Sequence, residues 1–385
     1  MLEGKKNNTA AAFAQRSGMH LFPFQAKYPN FDYITSPDSF FSNVKEEYND
    51  YDDSGFFRKT PEEGFYIYEI RTGNRSFTGL VACVDIRDYL DGHIRRHEDT
   101  LAAKEQRQMQ LLMHRNAMVK PVLLFHQPLV SLSEFLERFK DDSSLLTTHF
   151  ETPDESHTLW KVTGERDVKY LQNQFFQHIP DAYIADGHHR SSMAALLYER
   201  RKGKPDQHKF GRLLCAFFPE SDLEILDYNR IVDAFGELSV ARFMGHLSQV
   251  VDIEVLSAPS KPSEQHQMTM LINREWFSLR WKAHILQNWP ERVILDASLL
   301  DRYVIREIFG IEDVRNDQRL KYMEGSKGLD EFRNTVNKSD QRVGFCLSPV
   351  NVEGLKEVAD SGKVMPPKST WFEPRMRNGL IVYEI

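Results

Sequence analysis

Between Ala182 and Gly203 the chain reads AYIADGHHRSSMAALLYERRKG, with Asp186, Gly187, His188, His189 and Arg190 set consecutively between two apolar elements. Tyr183 and Ile184 end a strand-like run, and Met193, Leu196 and Leu197 recur at the three- and four-residue spacing of a buried helix face. The five residues therefore fall at a strand-to-helix turn. There the first helical N–H groups lack intrahelical partners, the helix dipole places partial positive charge, and glycine lets a guest approach the backbone. An anion such as a phosphate suits that combination. Arg190 adds a planar donor fork, and His188 and His189 add donors or general acid–base capacity. Arg200, Arg201 and Lys202 followed by Gly203 mark the end of the helix.

Carboxylates come from an earlier stretch. HIRRHEDTLAAKEQRQMQLLMH, from His93 to His114, reads as one helix, and its spacing places Glu98 and Glu105 on the apolar face with Leu101, Met109 and Leu112. Burying an unpaired ionised group costs several kcal/mol, so the two glutamates must meet cations, hydrogen-bond donors or a ligand. The same face at a domain edge would instead let both reach solvent or arginines. His93 and His97 are four apart, and His97-Glu98 invites a zinc reading, but Leu101 stands where the zincin motif needs its second histidine. Magnesium arriving with a nucleotide asks for only one or two carboxylates, and Asp186 is the one at the turn.

Three stretches resemble one family. ADGHHR before a small-residue helix, GLVACVDIRDY followed by HIRRHEDTLAAKE, and MPPKSTWFEPR near the end are similar to signatures of the bacterial domain-of-unknown-function 1015 family. That family is similar in turn to the ParB and sulfiredoxin superfamily. The resemblance implies an α+β fold, a ParB/sulfiredoxin-like mixed α/β core with an added C-terminal α/β subdomain. It implies nucleotide phosphates at the glycine turn, with ATP or ADP and Mg²⁺ as cofactors. One branch of the superfamily comprises free serine kinases, in which an early glutamate acts as base on the substrate hydroxyl. By position Glu98 takes that part, with Glu105 second, and His97, Thr100 and Lys104 fall on matching positions as substrate contacts. Where the family continues with an Asp-Arg pair this chain has Gln106, Arg107 and Gln108, and where it has His-Arg this chain has Asn229-Arg230. Only Arg230 carries over, as an anion contact or as a solvent-paired arginine. Pro366 and Pro367 stiffen the backbone before Lys368, Ser369 and Thr370, donors that could close over phosphate; packing by Trp371 and Phe372 beside an exposed lysine is the competing account.

The rest of the chain sets bounds. At 385 residues two packed domains, or one core with a large extension, are expected: a flexible tail over 1–20, a core over 21–255 carrying the HE-x-T and DGHHR motifs, and a C-terminal α/β subdomain over 256–385. The joint is the Pro- and Ser-containing SAPSKPSEQ. A net charge of −7 argues against nucleic acid as a partner, and no apolar run reaches the roughly 20 residues that span a bilayer. Cys83, Cys215 and Cys346 stand isolated in apolar surroundings, which suits reduced thiols and a cytoplasmic protein. FYIYEIRT and FTGLVACVDI predict a hairpin, SLSEFLERFK a short helix capped by Ser131 or Ser133, and MTMLINREWFSLRWKA a second hairpin. The acidic EEYNDYDD reads as a solvated loop or helix end.

The function expected from all this is nucleotide-dependent phosphotransfer to a small hydroxylated metabolite, free serine by analogy. Two alternatives stay open. One is a nucleotide-binding ParB-like switch or regulatory protein without small-molecule turnover; the other is a metal-assisted phosphatase using His188 and His189.

Overall fold

The computed structural model describes residues 18–100, 102–140, 142–151, 154–233, 235 and 238–385, so most of the expected tail lies outside the described residues. Helices and strands alternate in a mixed α/β arrangement, as the α+β expectation required. Two compact units divide the chain. The first takes the residues up to Arg95, Ala102–Asp222 and Met376–Ile385; the second takes Arg96–Leu101 and Leu223–Arg375. The division thus follows Asp222, ahead of the Pro- and Ser-rich joint near 255. Backbone pairing explains this, because the Tyr228–Asp233 strand bonds to Leu320–Glu324 and Arg342–Leu347. The chain end returns to the first unit, where Val382–Glu384 pairs with Ala26–Pro29 and Ala117–Met118.

In the first unit the described residues build a nine-stranded sheet. Its centre is the expected hairpin, Phe65–Thr72 against Arg75–Asp85, closed by Gly73 and Asn74 with Gly73 at φ 54°. Phe65 through Ile70 are all buried, Glu69 included, so both faces of this strand are covered and its apolar run is continuous rather than alternating. Arg212–Pro219 joins the hairpin to Val122–His126, which pairs in turn with Ala182–Asp186. The strand that leads into the Gly187 turn is therefore held inside the sheet, one place from its edge strand Ile94–Arg95.

The long helix expected from His93 is shorter. Ile94–Arg95 is a strand beside Ala182–Asp186, residues 96–100 are non-helical with a single bridge at Glu98, and the helix runs Ala102–Arg115. The non-helical segment satisfies its backbone elsewhere: Met365 N–H donates to the His97 carbonyl at 2.8 Å, and Glu98 forms a parallel bridge to Met365. Glu98 and Glu105 consequently do not share a helix face, and Leu101 lies outside the described residues. The SLSEFLERFK helix spans Val130–Phe139 with Leu129 at its cap position. Ser131 and Ser133 sit inside its first turn, Ser131 donating to Gln174 and Ser133 to the Leu129 carbonyl.

The second unit is built on a six-stranded antiparallel sheet that contains the expected hairpin, Gln267–Ile272 with Glu275–Trp281. Phe243, Leu247, Trp281, Leu300, Val304 and Phe345 pack into one buried cluster, and Trp276, Phe332 and Val336 into another. Gly344 is needed where the Gly328–Val336 helix crosses the sheet, since a Cβ there would lie 2.4 Å from the Phe332 ring. All three cysteines are buried and unbridged. Among the described residues no helix is long and apolar enough to cross a membrane.

Candidate functional site

The sequence-predicted residues fall into two sets, one in each unit. Asp186 to Arg190, Lys104 and Glu105 belong to the first; His97, Glu98, Thr100, Arg230 and Lys368 to Thr370 belong to the second.

In the first unit the Ala182–Asp186 strand passes through Gly187 into the His188–Arg200 helix. Gly187 is the N-cap with φ 114°, a left-handed conformation that glycine adopts without a Cβ penalty. It offers the helix no side-chain acceptor, while its carbonyl accepts the Arg190 N–H at 2.8 Å and the Ser191 N–H at 3.0 Å. Arg190 occupies the space a Cβ would take: from that point its Nη2 is 2.7 Å away and its Nε 3.0 Å. Nη2 donates to the Asp186 carboxylate at 3.1 Å, the Asp186 carbonyl at 3.3 Å and the Pro121 carbonyl at 3.2 Å. Nε is buried and has no acceptor among the described residues. An unsatisfied buried donor costs about 1–3 kcal/mol, more when charged.

Lys120, which sequence reasoning missed, lies 3.3 Å from the Asp186 carboxylate. Asp186 therefore faces two cations. Among the described residues no group of three His, Cys, Asp or Glu side chains is placed to hold a metal ion, and a carboxylate between an ammonium and a guanidinium does not suit a resident one. The two histidines differ: His188 is buried and His189 half-buried, so His189 is the one a guest could reach. Glu105 is half-buried on the Ala102–Arg115 helix and accepts a hydrogen bond from Ser192 of the His188–Arg200 helix. That ties a carboxylate to the helix of the glycine turn, five residues in from Gly187. Lys104, beside it in sequence, is exposed.

In the second unit the HE-x-T segment and the MPPKST segment lie side by side. His97 is 1% exposed, and its Nε2 is 3.2 Å from Thr370 Oγ1. Burial pushes the imidazole down to about 3, so it is neutral at physiological pH. Arg230 is completely buried; its Nη1 donates to the carbonyls of Tyr228 at 2.6 Å and Lys368 at 2.9 Å, and its Nη2 to that of Pro367 at 3.4 Å. Neither expectation for Arg230, an anion contact or a solvent pair, fits a guanidinium sealed from water. Lys368 takes φ 58° and sets its Nζ 5.1 Å from the centre of the Tyr228 ring, a cation–π contact. Ser369 is buried and donates to the Pro366 carbonyl at 2.7 Å. Burial pushes the Tyr228 hydroxyl well above its usual value, Glu324 adds to that, and the Glu98 charge contributes. The Thr100 N–H donates to the Asp99 carboxylate at 3.0 Å, and Arg315 holds that carboxyl low. The cluster is a packed assembly in which Glu98, half-buried, keeps partial access.

The family model for the protein of unknown function DUF1015 matches residues 10–302. The chain belongs to that family. The matched residues include the HE-x-T and DGHHR segments, whereas MPPKST lies beyond them. No curated protein matches this DUF1015 chain in sequence. Among solved structures it is similar to SbnI with C-terminal truncation from Staphylococcus aureus, at 12% identity and TM-score 0.41, over 77% of this chain and 85% of that one. It is similar to a free serine kinase variant in complex with ADP, at 13% identity and TM-score 0.38, over 78% and 92%. A conserved hypothetical protein from Pyrococcus furiosus gives 12% identity and TM-score 0.39 over 79% and 95%. Likeness at this distance transfers neither a residue role nor an activity.

Proposed function

We propose that the Gly187 turn binds the phosphates of a nucleotide and that the protein is a small-molecule phosphotransferase. The observation that carries the reading is Arg190: a guanidinium folded over a glycine helix cap, with a buried Nε–H that has no acceptor among the described residues. A phosphate oxygen at the cap would receive that N–H at the positive end of the helix dipole, while Lys120 would add charge. His189 would be the proton-handling group at the turn, since its neighbour His188 is buried. Neutralising and positioning phosphate is the larger part of what phosphoryl transfer asks of a protein. Magnesium would be brought by the nucleotide rather than held in advance by Asp186, and no step is assigned to it. The base role for Glu98 rests on the family resemblance and concerns a residue of the second unit. Free serine as acceptor rests on the same resemblance.

The test is an incubation of the protein with ATP or ADP, Mg²⁺ and a panel of amino acids and other small alcohols. Acceptor-dependent phosphorylation that disappears in Glu98→Gln while nucleotide binding persists is the expected result. Nucleotide binding with no acceptor consumed would leave the switch reading in place of the kinase. Absence of nucleotide binding that is altered by Arg190→Ala would overturn both.

A further inference from the structure

A cavity of about 360 Å³ lies within the second unit beside the N-terminal end of the Val352–Asp360 helix. His266 and Asp296 line it. His266 takes φ 65°, which a residue with a side chain adopts at a cost of order 1–3 kcal/mol and only where its surroundings enforce it. Here they do. Its N–H donates to Asp296 Oδ2 at 3.0 Å, and its carbonyl accepts from the Trp281 N–H at 3.2 Å. Asp296 Oδ1 stands 3.5 Å from the ring Nδ1. Asp296 is only 8% exposed, so one buried carboxylate fixes the backbone of His266 through one oxygen and sets the other beside the ring, at ion-pair rather than hydrogen-bond distance.

That geometry gives the imidazole a direction. The carboxylate favours the proton on Nδ1. Nδ1 is itself buried while the side chain is 30% exposed, so the open edge of the ring is the one bearing Nε2. We propose that this cavity is a binding site for a small anion, a carboxylate or a phosphate monoester, with His266 oriented by Asp296 as its principal donor. The other charges on the wall permit an anion. Arg292 Nε lies 2.5 Å from Glu357 Oε1, so those two offset each other. Glu353 is exposed, where water screens it. Asn351 caps the helix by accepting the Gly354 N–H at 2.7 Å, and the positive end of the helix dipole forms part of the wall. The Asp296 carboxylate also raises the imidazole above its ordinary value, which extends the cationic form toward neutral pH. Binding therefore strengthens as the pH falls and the ring charges, with Asp296, Arg292, Glu357 and Glu353 as the charged neighbours.

The experiment follows the His266 imidazole resonance of the full chain by NMR while inorganic phosphate and, separately, acetate are added. A saturable shift is expected, with a raised apparent His266 pKa in the bound state; the affinity should fall at least about tenfold in Asp296→Asn by the same resonance, and in His266→Gln by calorimetric titration with the same anions. Response to phosphate alone assigns the phosphate class, and response to acetate alone the carboxylate class. The same titration in Arg190→Ala separates the two sites: the His266 response must survive there. A resonance that moves with neither anion, or that stops responding in Arg190→Ala, overturns the proposal without touching the reading of the Gly187 turn. The wild-type resonance needs no variant to fold.

Discussion

Arg190 in the first unit and Arg230 in the second both turn a guanidinium onto backbone carbonyls, yet a solute can reach only one of them. Arg190 keeps 24% of its side chain accessible and lays its Nε against a glycine cap. Arg230 is completely buried, and its Nε faces the Asp301 carboxylate 3.8 Å away. Burial pushes that carboxyl upward while Arg230 draws it down. On the proposed reading the first arginine receives an anion, and the other pins the segment Pro367–Lys368 to the Tyr228–Asp233 strand. The histidines repeat the contrast, with His189 half-buried at the turn and His97 sealed against Thr370. Residue type and motif membership are shared; exposure decides which member can do chemistry.

The largest effect expected from this contrast is on stability. Arg230→Met removes the donors to Tyr228, Pro367 and Lys368 and leaves Asp301 buried without its cation, which should cost about 3–5 kcal/mol in urea unfolding. Adding Asp301→Leu should restore part of that loss, because the uncompensated charge goes with it. Phosphate binding at the Gly187 turn should be unchanged in the folded fraction. If Arg230→Met weakens phosphate binding as strongly as Arg190→Ala does, the division of labour between the two arginines is wrong.

Next comes affinity. Arg190→Ala should weaken nucleotide or phosphate binding about ten- to a hundredfold, the worth of a charged hydrogen bond of about 1.5–3 kcal/mol, with little change in unfolding. Gly187→Ala should also lose affinity, but for a different reason. At φ 114° a Cβ costs about 1–2 kcal/mol and collides with Nη2 at 2.7 Å, so the guanidinium must leave the cap. Calorimetric titration beside thermal unfolding separates the two variants, since only the glycine substitution should lower both quantities.

How much of this was legible in the sequence follows from the distance over which each feature is determined. The central hairpin and the DGHHR turn are local: alternation of apolar runs with Gly73-Asn74, and a glycine between a strand and a helix, suffice. The segment 96–100 is not local. Its conformation is set by pairing with Met365, far along the chain, and nothing between His93 and Ala102 interrupts a helical pattern, so periodicity carried the helix too far back. The shared face of Glu98 and Glu105 fell with it. Lys120 was invisible for a similar reason, as its partner Asp186 lies on a neighbouring strand that only the sheet order brings close. The burial of Arg230 could not be read either, because it depends on the carbonyls of Pro367 and Lys368 being turned inward.

The smallest expected effect tests the buried histidines. His97 in the second unit and His126 in the first are both nearly inaccessible, and burial holds them down to about 3 and about 4. An unfolded histidine titrates near 6.5, so between that value and the folded one the unfolded chain binds a proton that the folded chain refuses. The sign follows: stability is full above about pH 6.5 and is lost as the pH falls below it, by up to about 1.4 kcal/mol per pH unit for each histidine. Between pH 7 and pH 5 each should contribute about 1–2 kcal/mol of loss. His97→Gln can keep the contact with Thr370 but cannot charge, and His126→Gln likewise cannot, so each should flatten its share of the acid limb in urea unfolding. Together they should act additively, being parts of separate units. Identical pH dependence in wild type and both variants would mean that neither ring is as sealed as its burial indicates, and the contrast with the accessible His189 would lose its second example.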